Sequence, residues 1–303
     1  MKLAFFGTPA FAVPTLRALL DSEHEVALVV AQPDKPAGRG QTVQSPPTIE
    51  LARARGVTTL QPRRVKTGEL PETLERLGLD IAVVVAYGRI LTPRLLQAPR
   101  LGCVNVHASL LPRWRGAAPI QWSVLAGDAT TGVATMQMAE GLDTGDILLM
   151  EETPIGPTET AGELFVRLAE LGAPLLLRTL AELPAPTPQD AAGVTLAPML
   201  TKDHARIDWA RPAREIDWQV RGLSPWPGTV TTFRGEPLKV LKARPVLGDT
   251  PTNAAPGTFL DGPVVACGEG AIELLEVQLP GKKGVRGVDF VNGSRVKPGE
   301  RLG

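Results

Sequence analysis

The chain has 303 residues, equal numbers of Lys+Arg and Asp+Glu, and 43% hydrophobic residues. That length is enough for two domains with real cores, and a net charge of zero argues against a protein defined by bulk nucleic-acid affinity. No apolar run approaches the roughly 20 residues of a membrane span, and Gly7, Pro9 and Pro14 break the N-terminus too early for a secretory signal, so a cytoplasmic location is expected. The charge is slightly uneven: from residue 205 onward there are 14 basic and 11 acidic residues, net +3, against 18 and 21 before it, net −3. Cys103 and Cys267 have no metal-ligand spacing and read as buried, reduced thiols that pack.

In chain order the first half alternates strand and helix. Lys2 to Phe6 reads as a strand, Ala10 to Leu20 as a helix, Glu25 to Ala31 as a strand and Thr48 to Arg55 as a helix. Val57 to Leu60 (strand), Glu69 to Leu77 (helix), Asp80 to Ala86 (strand) and Thr92 to Gln97 (helix) follow. The unbroken Asp-Ile-Ala-Val-Val-Val-Ala run is the pattern of a strand covered on both faces. Such βαβ alternation implies a Rossmann-like, doubly wound and mostly parallel sheet. The turn after the first strand lacks Gly-x-Gly-x-x-Gly spacing, and there is no Gly-x-x-x-x-Gly-Lys-Ser/Thr loop, so neither a dinucleotide nor a nucleotide hydrolase follows from it. No His/Cys cluster offers zinc ligands, and no metal is expected.

The next strand carries the chemistry. Val104-Asn105-Val106-His107-Ala108 alternates, which puts Asn105 and His107 on one face. A Ser109-Leu110-Leu111-Pro112 loop and the basic turn Arg113-Trp114-Arg115-Gly116 follow, at the strand end where open α/β sheets place ligands. Gly132 to Met138 and Asp146 to Glu151 suit two further strands, and Asp143 lies in the Gly-rich connection between them. A lone strand histidine is more often a satisfied structural residue, and an Asp in a Gly-rich turn usually bonds its own backbone. Together, however, an amide, an imidazole and a carboxylate suit an oxyanion and proton-relay site for acyl transfer to a substrate's own nucleophile.

Thr158 to Leu183 is a long amphipathic helix pattern, after which residues 184–203, rich in Pro, Ala and Thr, read as a linker. This divides the chain into 1–183 and 204–303. Beyond a helix at Pro212 to Gly222, short strand runs at 228–233, 238–243, 257–260, 264–267 and 271–275 predict a smaller β-barrel, OB-like domain.

The run Asn105 to Gln121 (NVHASLLPRWRGAAPIQ), the Gly141 to Asp146 turn (GLDTGD) and the Gln32 to Gly40 loop (QPDKPAGRG) resemble the methionyl-tRNA formyltransferase family, within the folate-dependent formyltransferase superfamily. Ile207-Asp208-Trp209, Ser224 to Pro227 (SPWP) and Asn253 to Thr258 (NAAPGT) extend the likeness over nearly the whole chain. The resemblance implies transfer of a formyl group from 10-formyltetrahydrofolate to the α-amine of methionine on initiator tRNA, by a cytoplasmic monomer without a metal. It implies Asn105, His107 and Asp143 as the catalytic trio and Ser109, Leu110, Leu111 and Pro112 as the tetrahydrofolate segment. The basic loop, with Lys35 and Arg39, would reach the acceptor end of tRNA, and Lys239, Lys242, Lys282 and Lys283 of the β domain would face its backbone. Each lysine taken singly is an ordinary solvated charge. A sugar-nucleotide or glycinamide-ribonucleotide formyltransferase would use the same trio and folate, but would leave the basic loop and β-rich tail without a purpose. A noncatalytic RNA-binding module would explain the tail and not the trio.

Overall fold

The computed structural model describes residues 1–37, 42–246 and 254–303. The chain folds as two compact units. One comprises Met1–Pro119, Thr130–Pro154 and Phe165–Pro198, the other Ile120–Ala129, Ile155–Leu164 and Met199–Gly303.

The first unit is built on a seven-stranded sheet of β1 (Lys2–Gly7), β2 (Glu25–Val30), β3 (Thr59–Leu60), β4 (Ile81–Val85), β5 (Cys103–His107), β6 (Thr130–Gln137) and β7 (Ile147–Pro154), in the order β7-β6-β5-β4-β1-β2-β3. Strands β1 to β5 run parallel, while β6 is antiparallel to β5 and β7 to β6. The helices between them are α1 (Val13–Leu20), α2 (Pro47–Ala54), α3 (Glu69–Leu77) and α4 (Pro93–Gln97); of the next two, α5 (Pro119–Leu125) belongs but for its first residue to the second unit, and α6 (Ala161–Glu182) after Leu164 to the first. Every residue of β4 and of β5 is buried, as a strand covered on both faces requires. The strand order reverses between β1 and β4, and the carboxyl ends there are laced together: the Tyr87 carbonyl accepts from Thr8 Oγ1 at 3.2 Å and from Gln32 Nε2 at 2.9 Å. The next strand outward, β5, ends on the same side, and its last residue is His107.

Residues 184–198 differ from the linker that their composition predicts: they are part of the first unit. Thr187 exchanges two 2.8 Å backbone hydrogen bonds with Ile147, and Leu196–Ala197 pairs in parallel with Arg115–Gly116. Their order comes from hydrogen bonds to distant loops rather than from a periodic apolar face, so periodicity does not reveal it.

The second unit contains α7 (Ala213–Gly222), α8 (Gly287–Ser294) and five antiparallel strands: β8 (Thr229–Phe233), β9 (Glu236–Pro245), β10 (Val264–Ala266), β11 (Ala271–Gln278) and β12 (Val285–Arg286). They pair in the order β8-β9-β11-β10, with β12 also on β11. The run expected as a strand at 257–260 makes only isolated bridges, Thr258 to Arg301 and Phe259 to Val265. Helix α8 is not visible in the sequence, because GVDFVNGS contains weak helix formers. Burial of Phe290 against Phe233, at a centroid distance of 5.2 Å, supplies what propensity does not. Between β9 and β11 the register shifts twice: Val240 faces Val277, Lys242 faces Glu276 and Ala243 faces Leu274, so Leu241 and Leu275 are each an extra residue.

Candidate active site

Hydrogen bonding to β4 and β6 fixes the backbone of β5 on both sides, with Val84 opposite Asn105 on one and Met136 and Ala134 opposite Asn105 and His107 on the other. Asn105 and His107 therefore project from one face as the alternation requires, and they are 8% and 6% exposed. Among the described residues the Asn105 carboxamide has no hydrogen-bond partner. The amide is therefore open to a substrate oxygen, to which its N–H groups can donate.

The chain then turns back over the strand end. Ser109 is fully buried and donates its hydroxyl to the Arg113 carbonyl at 2.7 Å, so it closes the loop rather than offering a nucleophile. Leu111 is buried and precedes a cis peptide to Pro112. At Trp114 the backbone is left-handed, φ +63°, and this aims its carbonyl at His107 Nε2, 2.9 Å away. A carbonyl can only accept, so Nε2 carries the hydrogen. In the neutral ring Nδ1 then holds the free lone pair, and it faces Asp143 Oδ1 at 3.7 Å.

Asp143 is itself left-handed, φ +51°, a conformation Asp tolerates better than most residues. Its Oδ2 accepts the Gly116 N–H at 2.8 Å. Gly116 has φ +130°, and a Cβ there would lie 2.5 Å from the Ala197 carbonyl oxygen, so only glycine can present this donor. The Asp143 carboxylate is thus held by one oxygen and presents the other to the imidazole. Sequence reasoning missed Gly116, the Trp114 carbonyl, Gln189 and Thr195, the last two lying in the stretch read as a linker. The Trp-Arg-Gly turn was the only available signal, and it was read as charge.

Of the basic residues, Lys35 lies in a short ribbon, Lys35–Ala37 against Thr42–Gln44, and donates to Gln32 Oε1 at 2.8 Å. Arg39 lies outside the described residues. Lys239, Lys242, Lys282 and Lys283 are all exposed, and among the described residues none makes an ion pair within 4 Å, whereas Glu273 holds Arg244 and Asp289 holds Arg286. The extra residue at Leu241 lets Lys239 and Lys242, three apart, both face outward. Cys103 and Cys267 are buried, and burial pushes both thiols up to about 12. Among the described residues no helix is long and apolar enough to cross a membrane.

The family described as formyl transferase matches residues 1–180, and the formyl transferase C-terminal domain matches residues 199–295. Fold and matches together make this chain a formyltransferase. Methionyl-tRNA formyltransferases of Gluconobacter oxydans and Solibacter usitatus are 51% and 52% identical to it, covering 100% of this chain and 100% and 99% of theirs. The chain belongs to the methionyl-tRNA formyltransferase family. An N-formyltransferase from Helicobacter canadensis, solved with folinic acid and dTDP-3-aminofucose, shares the fold with a TM-score of 0.70 at 18% identity, over 90% of this chain and 98% of that one.

Proposed function

We propose that the chain transfers the formyl group of 10-formyltetrahydrofolate to the α-amino group of methionine esterified to initiator tRNA, as a cytoplasmic monomer. The substrate class rests on the full-length relationship to enzymes of that name. The chemistry rests on one observation: His107 is held between the Trp114 carbonyl and the Asp143 carboxylate, next to an amide with no partner of its own among the described residues.

With Nε2–H committed to Trp114, Nδ1 is the ring nitrogen left for chemistry. The neutral amine attacks the formyl carbon and the carbonyl electrons move to oxygen, where the Asn105 N–H groups meet the developing charge. The proton lost by the amine passes to Nδ1, and the imidazolium formed is stabilised by Asp143 on one side and the Trp114 carbonyl on the other. Charged in this way, His107 also steadies the oxyanion. Collapse breaks the bond from the formyl carbon to the folate nitrogen, which takes up the proton. Ser109, Leu110, Leu111 and Pro112 shape the folate side of the site. Lys35, Arg39, Lys239, Lys242, Lys282 and Lys283 are assigned to tRNA phosphates, which need charge more than geometry. Residues 1–183 on this reading carry catalysis and residues 204–303 bind tRNA.

The test is a formylation assay with three acceptor conditions: methionyl-tRNA, an amino-sugar nucleotide, and none. Transfer to methionyl-tRNA alone is expected. Transfer to the sugar nucleotide and not to the tRNA would sink the proposal.

A further inference from the structure

The stretch 187–197 contributes no group that could react, yet two of its side chains, Gln189 and Thr195, hold the backbone at Asp143 and at Trp114, the residue that bonds His107. Gln189 Oε1 accepts from Arg115 Nε at 2.9 Å and Nη2 at 2.7 Å, and its Nε2 donates to the carbonyls of Asp143 at 2.9 Å and Gly145 at 2.6 Å. All four bonds exist only with the amide this way round, because a guanidinium can only donate and a carbonyl can only accept. One side chain thereby pins the backbone on both sides of Thr144 and fixes where the Asp143 carboxylate starts. Thr195 does the same for the imidazole through one intermediary. Its Oγ1 accepts the Trp114 N–H at 2.8 Å, and its carbonyl accepts the Arg115 N–H at 2.9 Å. A left-handed Trp is strained and persists only where its surroundings hold it. Trp114 is gripped on both sides, and its carbonyl is the acceptor that decides which nitrogen of His107 carries hydrogen.

We infer that Gln189 and Thr195 are positioning residues for formyl transfer, Gln189 setting the Asp143 carboxylate and Thr195 setting the His107 ring through Trp114. The inference rests on the reading of His107 and Asp143 as the reacting pair. It gives the segment after α6 a part in catalysis that a spacer would not have.

Two near-isosteric substitutions isolate the polar interactions from mere space filling. Gln189→Glu can still accept from Arg115 but cannot donate to the two carbonyls, and Thr195→Val keeps the shape of threonine without its acceptor. Each is assayed in the full chain with 10-formyltetrahydrofolate and methionyl-tRNA. Each should lower kcat roughly 10- to 100-fold with both KM values within about twofold of wild type. The thermal unfolding midpoint should fall by only a few degrees, too little to depopulate the folded enzyme at the assay temperature, and Thr195→Ser should restore wild-type kcat. Should Gln189→Glu fail to fold, Gln189→Met carries the same expectation. Wild-type kcat in the Gln189 variant or in Thr195→Val overturns the inference, as does a loss that appears in KM instead of kcat. His107→Ala run in parallel separates the two readings. If His107→Ala is inactive while the Gln189 and Thr195 variants are normal, only this inference falls; if it is active, the reading of the site falls as well.

Discussion

The two units use polar side chains in opposite ways. Around β5 three polar groups are nearly buried and held by another: His107 by Trp114, Asp143 by Gly116, and Ser109 by Arg113. On the antiparallel unit Lys239, Lys242, Lys282 and Lys283 reach solvent, and among the described residues they have no ion pair. Moving a proton and meeting a developing oxyanion depend on placement to a fraction of an ångström, which only interlocked bonds supply. Attraction to a phosphate chain depends on charge and tolerates mobile side chains. Substitutions in the first region should therefore appear in kcat, and those in the second in KM and salt dependence.

The largest effect is expected from the imidazole and its carboxylate. His107→Ala and Asp143→Ala should each lower kcat on the order of 10²- to 10⁴-fold, with circular dichroism unchanged. Full activity in either would show that the buried cluster is not where transfer occurs. A smaller, mixed effect is expected of Gly116→Ala, because the new methyl meets the Ala197 carbonyl at a backbone angle of +130°. Strain of about 1–3 kcal/mol should lower the unfolding midpoint and the rate together. A variant with normal stability and a normal rate would mean that the 115–116 ribbon does not hold the carboxylate in place. The smallest effect is that of Lys282→Ala combined with Lys283→Ala. Here kcat stays level, and the slope of log affinity against log salt falls by about 1 for each phosphate that is no longer neutralised. A salt slope identical to wild type would remove this pair from the tRNA surface.

Much of the frame was legible because local pattern and tertiary role agree. The valine run of β4, the alternation of β5 and the helix from Glu69 to Leu77 all appear at or within a residue or two of their expected places. The pairing of Asn105 with His107 on one face followed from strand geometry alone. What could not be read depends on bonds between segments far apart in sequence. Gln189 meets Asp143 across 46 residues and Thr195 meets Trp114 across 81, and nothing in a proline-rich, aperiodic stretch announces such partners. The hydrogen on His107 Nε2 was equally hidden, since it follows from a left-handed tryptophan that no propensity favours. The shared outward face of Lys239 and Lys242 was obscured because simple alternation puts residues three apart on opposite sides.

That last irregularity is shared by two strands. The extra residue Leu241 in β9 is matched by Leu275 in β11, so pairing regains step on either side. Because neither leucine is paired, loss of one alone would leave every pair on both sides in place and remove one bulge, with the bend and added twist it gives its strand. Loss of both would leave a regular ladder with the same faces covered. The two bulges therefore set the local curvature of β9 and β11 rather than their register, and each can be removed without the other.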